Sequence, residues 1–398
     1  MKEYIKAIIT YLIVLISFQG VICAQVKQKP VIPAADRVIM YKPVLKNKVI
    51  AIVANQTSMV GKTHLVDTLL RLGANIKKIF CPEHGFRGDE DAGKSIKNGR
   101  DSKTGIPIIS LYGKKVKPSS ADLEGIDAVI YDIQDVGVRY YTYISTLYYV
   151  MQGCAENLKL LMILDRPNPN GFYVDGPVLD MKFKSFVGVV PIPIVYGMTS
   201  AELAKMINDE GWLPNKLECS LGWIPCLNYT HKTIYNLPVN PSPNLRNMNA
   251  IYLYPSLGLF EGTVMNVGRG TDFPFQVYGN PKFADTTFSY VPDSIVSAGF
   301  RPPHYKQICY GVDLRNISEQ ELITSAKVDI GYLQKALNNY PDKDKFFTKF
   351  FENLAGTIEL RKQLLSGISE DSIRNSWKPG ILKFKEIRKK HLIYEDFE

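Results

Sequence analysis

The sequence predicts a doubly wound α/β domain with a mostly parallel sheet, followed by a smaller α+β domain. Three observations carry that prediction. From about residue 45 to 226, short runs rich in Val, Ile and Leu alternate with amphipathic segments of helical period. The runs are continuously apolar, as in strands covered on both faces, which is the mark of a parallel sheet. A proline-rich stretch, LPVNPSPNL at 237–245, then ends the alternation, and the residues beyond it are rich in glycine and aromatics. The expected division is 1–24 as a leader, 25–246 as the α/β domain and 247–398 as the α+β domain. At 398 residues the chain is too long for one ordinary core.

In chain order the leader comes first. Lys2 and Lys6 precede the apolar run AIITYLIVLISF, and GVICAQ closes on small residues, the layout of a secretory signal peptide cleaved after Ala24. The run is about a dozen residues against the ~20 that span a bilayer, so cleavage is the preferred reading and a membrane anchor the lesser one. Cys23 offers a lipid anchor, but Ile22 is bulky for such a site. The expected location is the periplasm or the exterior, with no stable membrane span after cleavage. Strand candidates come next: KVIAIVAN (48–55), IKKIFC (76–81), IPIISLYG (106–113), AVIYDI (128–133), LLMILD (160–165), IPIVYG (192–197) and LECSLGWI (217–224). Between them HLVDTLLRLG, YTYISTLYYVMQGCAENL and TSAELAKMINDEGW read as helices. The last should open with a reciprocal cap between Thr199 and Glu202.

With 45% hydrophobic and 22% charged residues, the composition is that of a globular protein able to bury a sizeable core. Removing two lysines and one glutamate with the leader takes the net charge from +9 to +8. A basic protein outside the cytoplasm favours anionic partners, of which cell-wall polymers are abundant. Nucleic acid is not an expected partner, because the basic tail KFKEIRKKH is accompanied by no nucleic-acid motif. Cys81, Cys154, Cys219, Cys226 and Cys309 are odd in number and scattered, which argues against a disulfide framework. Cys219 with Cys226 is the one pairing to consider, and burial as small apolar side chains is preferred.

Ligands of open α/β sheets bind beyond the carboxyl ends of the strands. Reading past each strand candidate gives Asn55-Gln56-Thr57, Glu83-His84, Tyr112, Asp132 with Asp135, Asp165-Arg166 with Asn168, and Tyr196. The first turn, ANQTSMVGK, lacks the glycines of a dinucleotide site, and GKT at 61–63 lacks the first glycine of a phosphate loop. No H-x-x-x-H, paired C-x-x-C or G-x-S-x-G occurs. No cofactor and no metal are expected, although Asp132, Asp135 and Asp165 leave open a carboxylate site for a divalent ion. What remains is acid–base chemistry by carboxylates. Glu83 sits where an apolar strand meets the crevice, and partial desolvation there would favour a protonated general acid. Glycosidic cleavage needs such an acid opposite a second carboxylate or a positioned water, with Asp132, Asp135 and Asp165 as candidates for the second role. His84 could orient Glu83 or bind substrate. Arg139 and Tyr140, at a helix start, are expected to face ligand, and Arg139 suits a carboxylate such as the lactyl group of muramic acid. Tyr141, Ile144, Leu147 and Tyr148 recur at helical spacing and are expected in the core.

Five ordered blocks, CPEHGFRG, YDIQDVGVRYYTY, LDRPNPNG, PSPNL and LFEGTVMNVGRGTD, together resemble the NamZ-type exo-β-N-acetylmuramidases. The resemblance runs from about residue 44 to the C-terminus. It implies a Rossmann-like N-terminal domain, a smaller C-terminal domain and an active-site cleft between them. It also implies release of N-acetylmuramic acid from the non-reducing end of peptidoglycan fragments, with the PEHG glutamate, here Glu83, as catalytic residue. Similarity further brings Glu261 and Arg269 towards the cleft. The expected site therefore has Glu83, Asp132 and Asp165 as catalytic residues, and Asn55, His84, Asp135, Arg139, Tyr140, Asn168, Glu261 and Arg269 around the sugar. The expected partners are muramic-acid-terminated saccharides. The rivals are a non-catalytic cell-wall glycan-binding protein and a metal-dependent carbohydrate or ester hydrolase.

Overall fold

Strand β1 (Val49–Ala54) shows how the first half is built. Ile50, Ile52 and Ala54 join the core on one face of the sheet, while Ala51 and Val53 join the core on the other. Strand side chains alternate, so a run apolar throughout is buried on both sides. The computed structural model describes residues 29–83, 85–87, 98–293 and 301–398, and the expected leader lies outside them.

Helix α1 (Val38–Leu45) precedes β1. A small hairpin of β2 (Met59–Val60) and β3 (Thr63–His64) and helix α2 (Leu65–Arg71) lead into β4 (Asn75–Cys81). Then come β5 (Gly99–Arg100), β6 (Pro107–Ser110), the short helix α3 (Ser120–Leu123), β7 (Ala128–Asp132), helix α4 (Tyr143–Glu156), β8 (Leu160–Leu164), helix α5 (Ser200–Asp209) and β9 (Leu221–Ile224). Among the described residues the main sheet has seven strands in the order β5-β6-β4-β1-β7-β8-β9, all parallel except the edge pair β5 and β6. Without β5 the parallel strands run 3-2-1-4-5-6 in chain order, the Rossmann arrangement. The Thr199–Glu202 capping box opens α5 as the sequence indicates.

IPIVYG, expected as a sheet strand, is not one. Its Val195 makes only isolated bridges to Val138 and Asp175. Pro191 and Pro193 flank Ile192 without an N–H to give, which removes the segment from a central ladder. All five cysteines are buried, with Cys219 and Cys226 as thiols.

The second half opens with helix α6 (Met248–Leu257), capped by Asn247 and running into a 3₁₀ turn, Gly258–Gly262. A small antiparallel sheet comes next, β10 (Val277–Asn280), β11 (Ser289–Tyr290) and β12 (Cys309–Asp313), with β12 in the middle. Helices α7 (Glu319–Ser325), α8 (Gly331–Asn339), α9 (Phe351–Ala355), α10 (Glu359–Leu365) and α11 (Glu370–Arg388) complete it. Residues Val31–Glu398 form one unit. A single hydrophobic cluster runs from Val53 and Ile163 of the sheet, through Ile144 and Leu203 of α4 and α5, to Ile251, Phe346 and Phe384 of the second half. No helix of the described residues is long and apolar enough to cross a membrane.

Candidate active site

At the carboxyl ends of the sheet strands, a cavity of about 550 Å³ is lined by residues of both halves. Strand β4 ends at Cys81, Pro82 comes after it, and Glu83 is delivered to the cavity wall. Thr142 occupies the N-cap position of α4 but makes no side-chain cap to its own helix. Its hydroxyl instead donates to Glu83 Oε2 at 2.9 Å. The Tyr112 hydroxyl, just after β6, also hydrogen-bonds Glu83, and burial together with the Glu83 charge pushes that phenol well above its usual pKa. Glu83 is thus held by two hydroxyls at the positive end of a 14-residue helix.

From the other half, the 3₁₀ turn supplies Glu261 and the adjoining glycine-rich loop supplies Arg269. They form an ion pair, with Arg269 Nη2 at 2.6 Å and Nε at 2.8 Å from Glu261 Oε1. Burial pulls the arginine pKa down more than any one neighbour lifts it, but the Glu261 charge and hydrogen bond, joined by Tyr254 and Glu83, together leave it raised. Phe275 lies under the guanidinium, 5.1 Å from ring centroid to Cζ, with a left-handed φ of 58° that is uncommon outside glycine. Tyr254 packs edge-on against Phe275 at 4.9 Å and against Tyr140 at 5.4 Å. The proline-rich stretch closes one side. The Pro241 carbonyl accepts from Tyr143 and Gln56, and Ser242 and Asn244 reach the cavity.

Of the residues expected from sequence, Glu83, Tyr140, Glu261 and Arg269 line this cavity. Tyr140 does so with its ring, since its hydroxyl donates to the carbonyl of Pro255. Six further expectations are corrected by where the side chains go. Asp132 is fully buried and clamped by Arg166 at 2.5 and 2.9 Å. Asp165 is fully buried and accepts from the Tyr394 hydroxyl at 2.6 Å and from Ala201 N–H at 3.0 Å. Asp135 accepts from Gly137 N–H at 2.7 Å and from Tyr196, and burial lifts its pKa to about 6. These three aspartates hold separate partners, and among the described residues no group of three or more His, Cys, Asp or Glu gathers as a ligand set. Asn55 folds back on Thr57, accepting from its N–H at 2.9 Å and its hydroxyl at 2.6 Å. Asn168 donates to Met198 and accepts from Asn170. Arg139 is fully buried and donates to the carbonyls of Pro177, Ile192, Leu354 and Ala355 at 2.7–2.8 Å. None of these six side chains lines the cavity. His84 lies outside the described residues.

Thr142, Phe186, Asn244 and Phe350 are cavity residues that sequence reasoning did not single out. Thr142 carried a usable signal, a hydroxyl at a helix start a short way beyond a carboxylate-rich strand end. Phe186 and Phe350 carried none, because each is one aromatic among many in the composition.

The chain matches the family models "Exo-beta-N-acetylmuramidase NamZ, N-terminal" over residues 50–249 and "Exo-beta-N-acetylmuramidase NamZ, C-terminal" over residues 252–394. It is 36% identical over 372 residues to the peptidoglycan β-N-acetylmuramidase NamZ of Bacillus subtilis strain 168, covering 89% of each chain. Two crystal structures of DUF1343 family proteins from Bacteroides fragilis share the fold. One is 50% identical with a TM-score of 0.86, covering 92% of this chain and all of the other. The second is 26% identical with a TM-score of 0.75, over 92% and 99%.

Proposed function

The chain belongs to the NamZ family and is a glycoside hydrolase, and from that premise we propose that it releases N-acetylmuramic acid from the non-reducing end of peptidoglycan fragments. The observation that carries the reading is one cavity with two differently held carboxylates, Glu83 on hydroxyls and Glu261 on an arginine. A carboxyl held by hydroxyls can keep and give up a proton, because a hydroxyl donates to its charged form and accepts from its neutral form. Glu83 then protonates the leaving glycosidic oxygen. The N-terminus of α4 favours the charge it acquires. Glu261, fixed by Arg269, is the anionic group opposite. It stabilises positive charge at the anomeric carbon or steers the attacking water. This replaces the aspartates expected from sequence. Arg269 is placed to meet the substrate's own carboxylate, and a secretory leader, as expected from Lys2, Lys6 and the apolar run after them, would put the reaction outside the cytoplasm.

The test is Glu83→Gln with a disaccharide carrying muramic acid at its non-reducing end. Loss of general acid catalysis is expected to lower kcat by about 10²–10⁴-fold. Binding of the disaccharide, read by calorimetry, should stay close to wild type. Unchanged turnover would remove Glu83 from the mechanism. Incubation with longer fragments should yield free N-acetylmuramic acid as the first and only small product, and internal cleavage would rule out the exo mode.

A further inference from the structure

We propose that the hydroxyl of Tyr254 donates to the N-acetylmuramic acid unit whose bond is cleaved. The proposal rests on the muramidase reading above. Five tyrosines line the cavity, and four of them have hydroxyls already engaged or sealed. Tyr112 bonds Glu83, Tyr140 donates to the Pro255 carbonyl, Tyr143 donates to the Pro241 carbonyl, and the Tyr141 hydroxyl is sealed from water beside Tyr143. The fifth, Tyr254, differs. It is buried, at 6% exposure, yet its hydroxyl is neither sealed nor bonded to any described residue. A buried tyrosine ordinarily finds a partner for its O–H, so this open one is directed at what fills the cavity.

The ring cannot swing away. Phe275, Tyr140 and Tyr141 pack edge-on around it at 4.9, 5.4 and 5.8 Å. Its carbonyl accepts from the Tyr140 hydroxyl at 3.2 Å and from the Gly258 N–H, and a Cβ at Gly258 would sit 2.4 Å from the Tyr140 ring. Pro255, next in α6, has no N–H to give, and the Ile251 carbonyl it leaves free accepts from Asn170 at 3.3 Å. Burial first, and then the Glu261 charge, holds the Tyr254 phenol well above its usual pKa, so it is a neutral donor. The charges of Arg269 and, less strongly, Glu83 reach it as well. The hydroxyl thus stands within the fields of both carboxylates and nearer the ion pair, whose Arg269 shares the Phe275 ring with it. In glycosidic cleavage the acid meets the glycosidic oxygen, while the opposite carboxylate meets the anomeric carbon of the sugar that is released. A donor nearer that second carboxylate abuts that sugar, and a ring fixed in advance loses little freedom on binding it.

Tyr254→Phe removes the hydroxyl and keeps the ring. The substrates are the muramic-acid-terminated disaccharide and the methyl β-glycoside of N-acetylmuramic acid, whose leaving group has no ring. On both, kcat/KM is expected to fall about three- to tenfold, the worth of one hydrogen bond, and the inhibition constant of free N-acetylmuramic acid to rise by a similar factor. The urea midpoint should match wild type, because no bond within the protein is lost. A fall confined to the disaccharide would put the hydroxyl on the departing unit, and unchanged kinetics or a lowered midpoint would give it to the protein. Each of these overturns the proposal while the activity of the wild type stands. A wild type that turns over neither substrate sinks the muramidase reading and this contact with it.

Discussion

Asp132 and Asp165 meet burial in different ways. Burial raises both, but Asp132 has the Arg166 guanidinium to offset it, whereas Asp165 has neutral donors and is pushed up to about 7 from 3.8. Between those two values the folded state holds a proton that the unfolded state has released. Stability from this group is therefore fullest below about 4 and falls as pH rises through 7. Asp135, at about 6, has the same sign. His64, lowered by burial from 6.5 to about 4, has the opposite sign and destabilises the fold as pH falls through that range. Comparing Asp165→Asn with wild type cancels the other groups. The variant is expected to gain on wild type between pH 4 and 8 by at least about 1.4 kcal/mol, the free energy of a tenfold change in proton affinity. Urea unfolding at several pH values measures it, and a constant difference between the two proteins would refute it. The same burial explains which residues were legible. A strand-end carboxylate is visible in sequence, but whether it faces a cavity or an arginine depends on residues far along the chain.

At the scale of elements, helix α4 and its approach do two jobs. Thr142 gives its hydroxyl to Glu83, and Arg139 ties the carbonyl end of α9 to the carbonyls of Pro177 and Ile192. Gly356, at φ 74°, lies so close that a Cβ there would meet Arg139 Nη2 at 2.6 Å. A planar guanidinium can serve four carbonyls at once and a single ammonium cannot, so Arg139→Lys should cost at least about 3 kcal/mol of stability. It should also lower kcat, which an arginine-to-lysine change at an exposed position would not do, because α9 carries Leu354 into the cavity wall and Phe350, the residue that starts it, lies there too. Thermal melting read beside kcat checks both, and a wild-type melt would contradict it. The α5 cap was legible because its partners lie three residues apart. IPIVYG misled because its apolar pattern imitates a strand while its prolines refuse the ladder.

For the whole molecule, the last residues form a strap across the α/β half. Ile393 and Tyr394 donate their N–H groups to Glu202, the Tyr394 hydroxyl reaches Asp165, His231 N–H donates to Glu395, and Asp396 pairs with the fully buried Arg388 at 2.8 Å. Ending the chain at Leu392 would leave Asp165, Glu202 and Arg388 short of their partners. The expected cost is about 3–5 kcal/mol, the range for uncompensated buried charge. Denaturant midpoints of the truncated and full chains measure the difference, and equal midpoints would show the strap to be dispensable.

The sequence alone determined the parallel sheet, most of its order of strands and helices, the location of the cavity at the strand ends and the presence of Glu83 in its wall. These rest on periodicity and on residues adjacent in the chain. Only the tertiary structure decided that the carboxylate sharing the cavity with Glu83 is Glu261 and not an aspartate, and that Arg139, Asn55 and Asn168 serve the interior. It also decided that one core joins both halves. The reason is that burial and pairing depend on what distant segments bring to a position, and no local pattern carries that information.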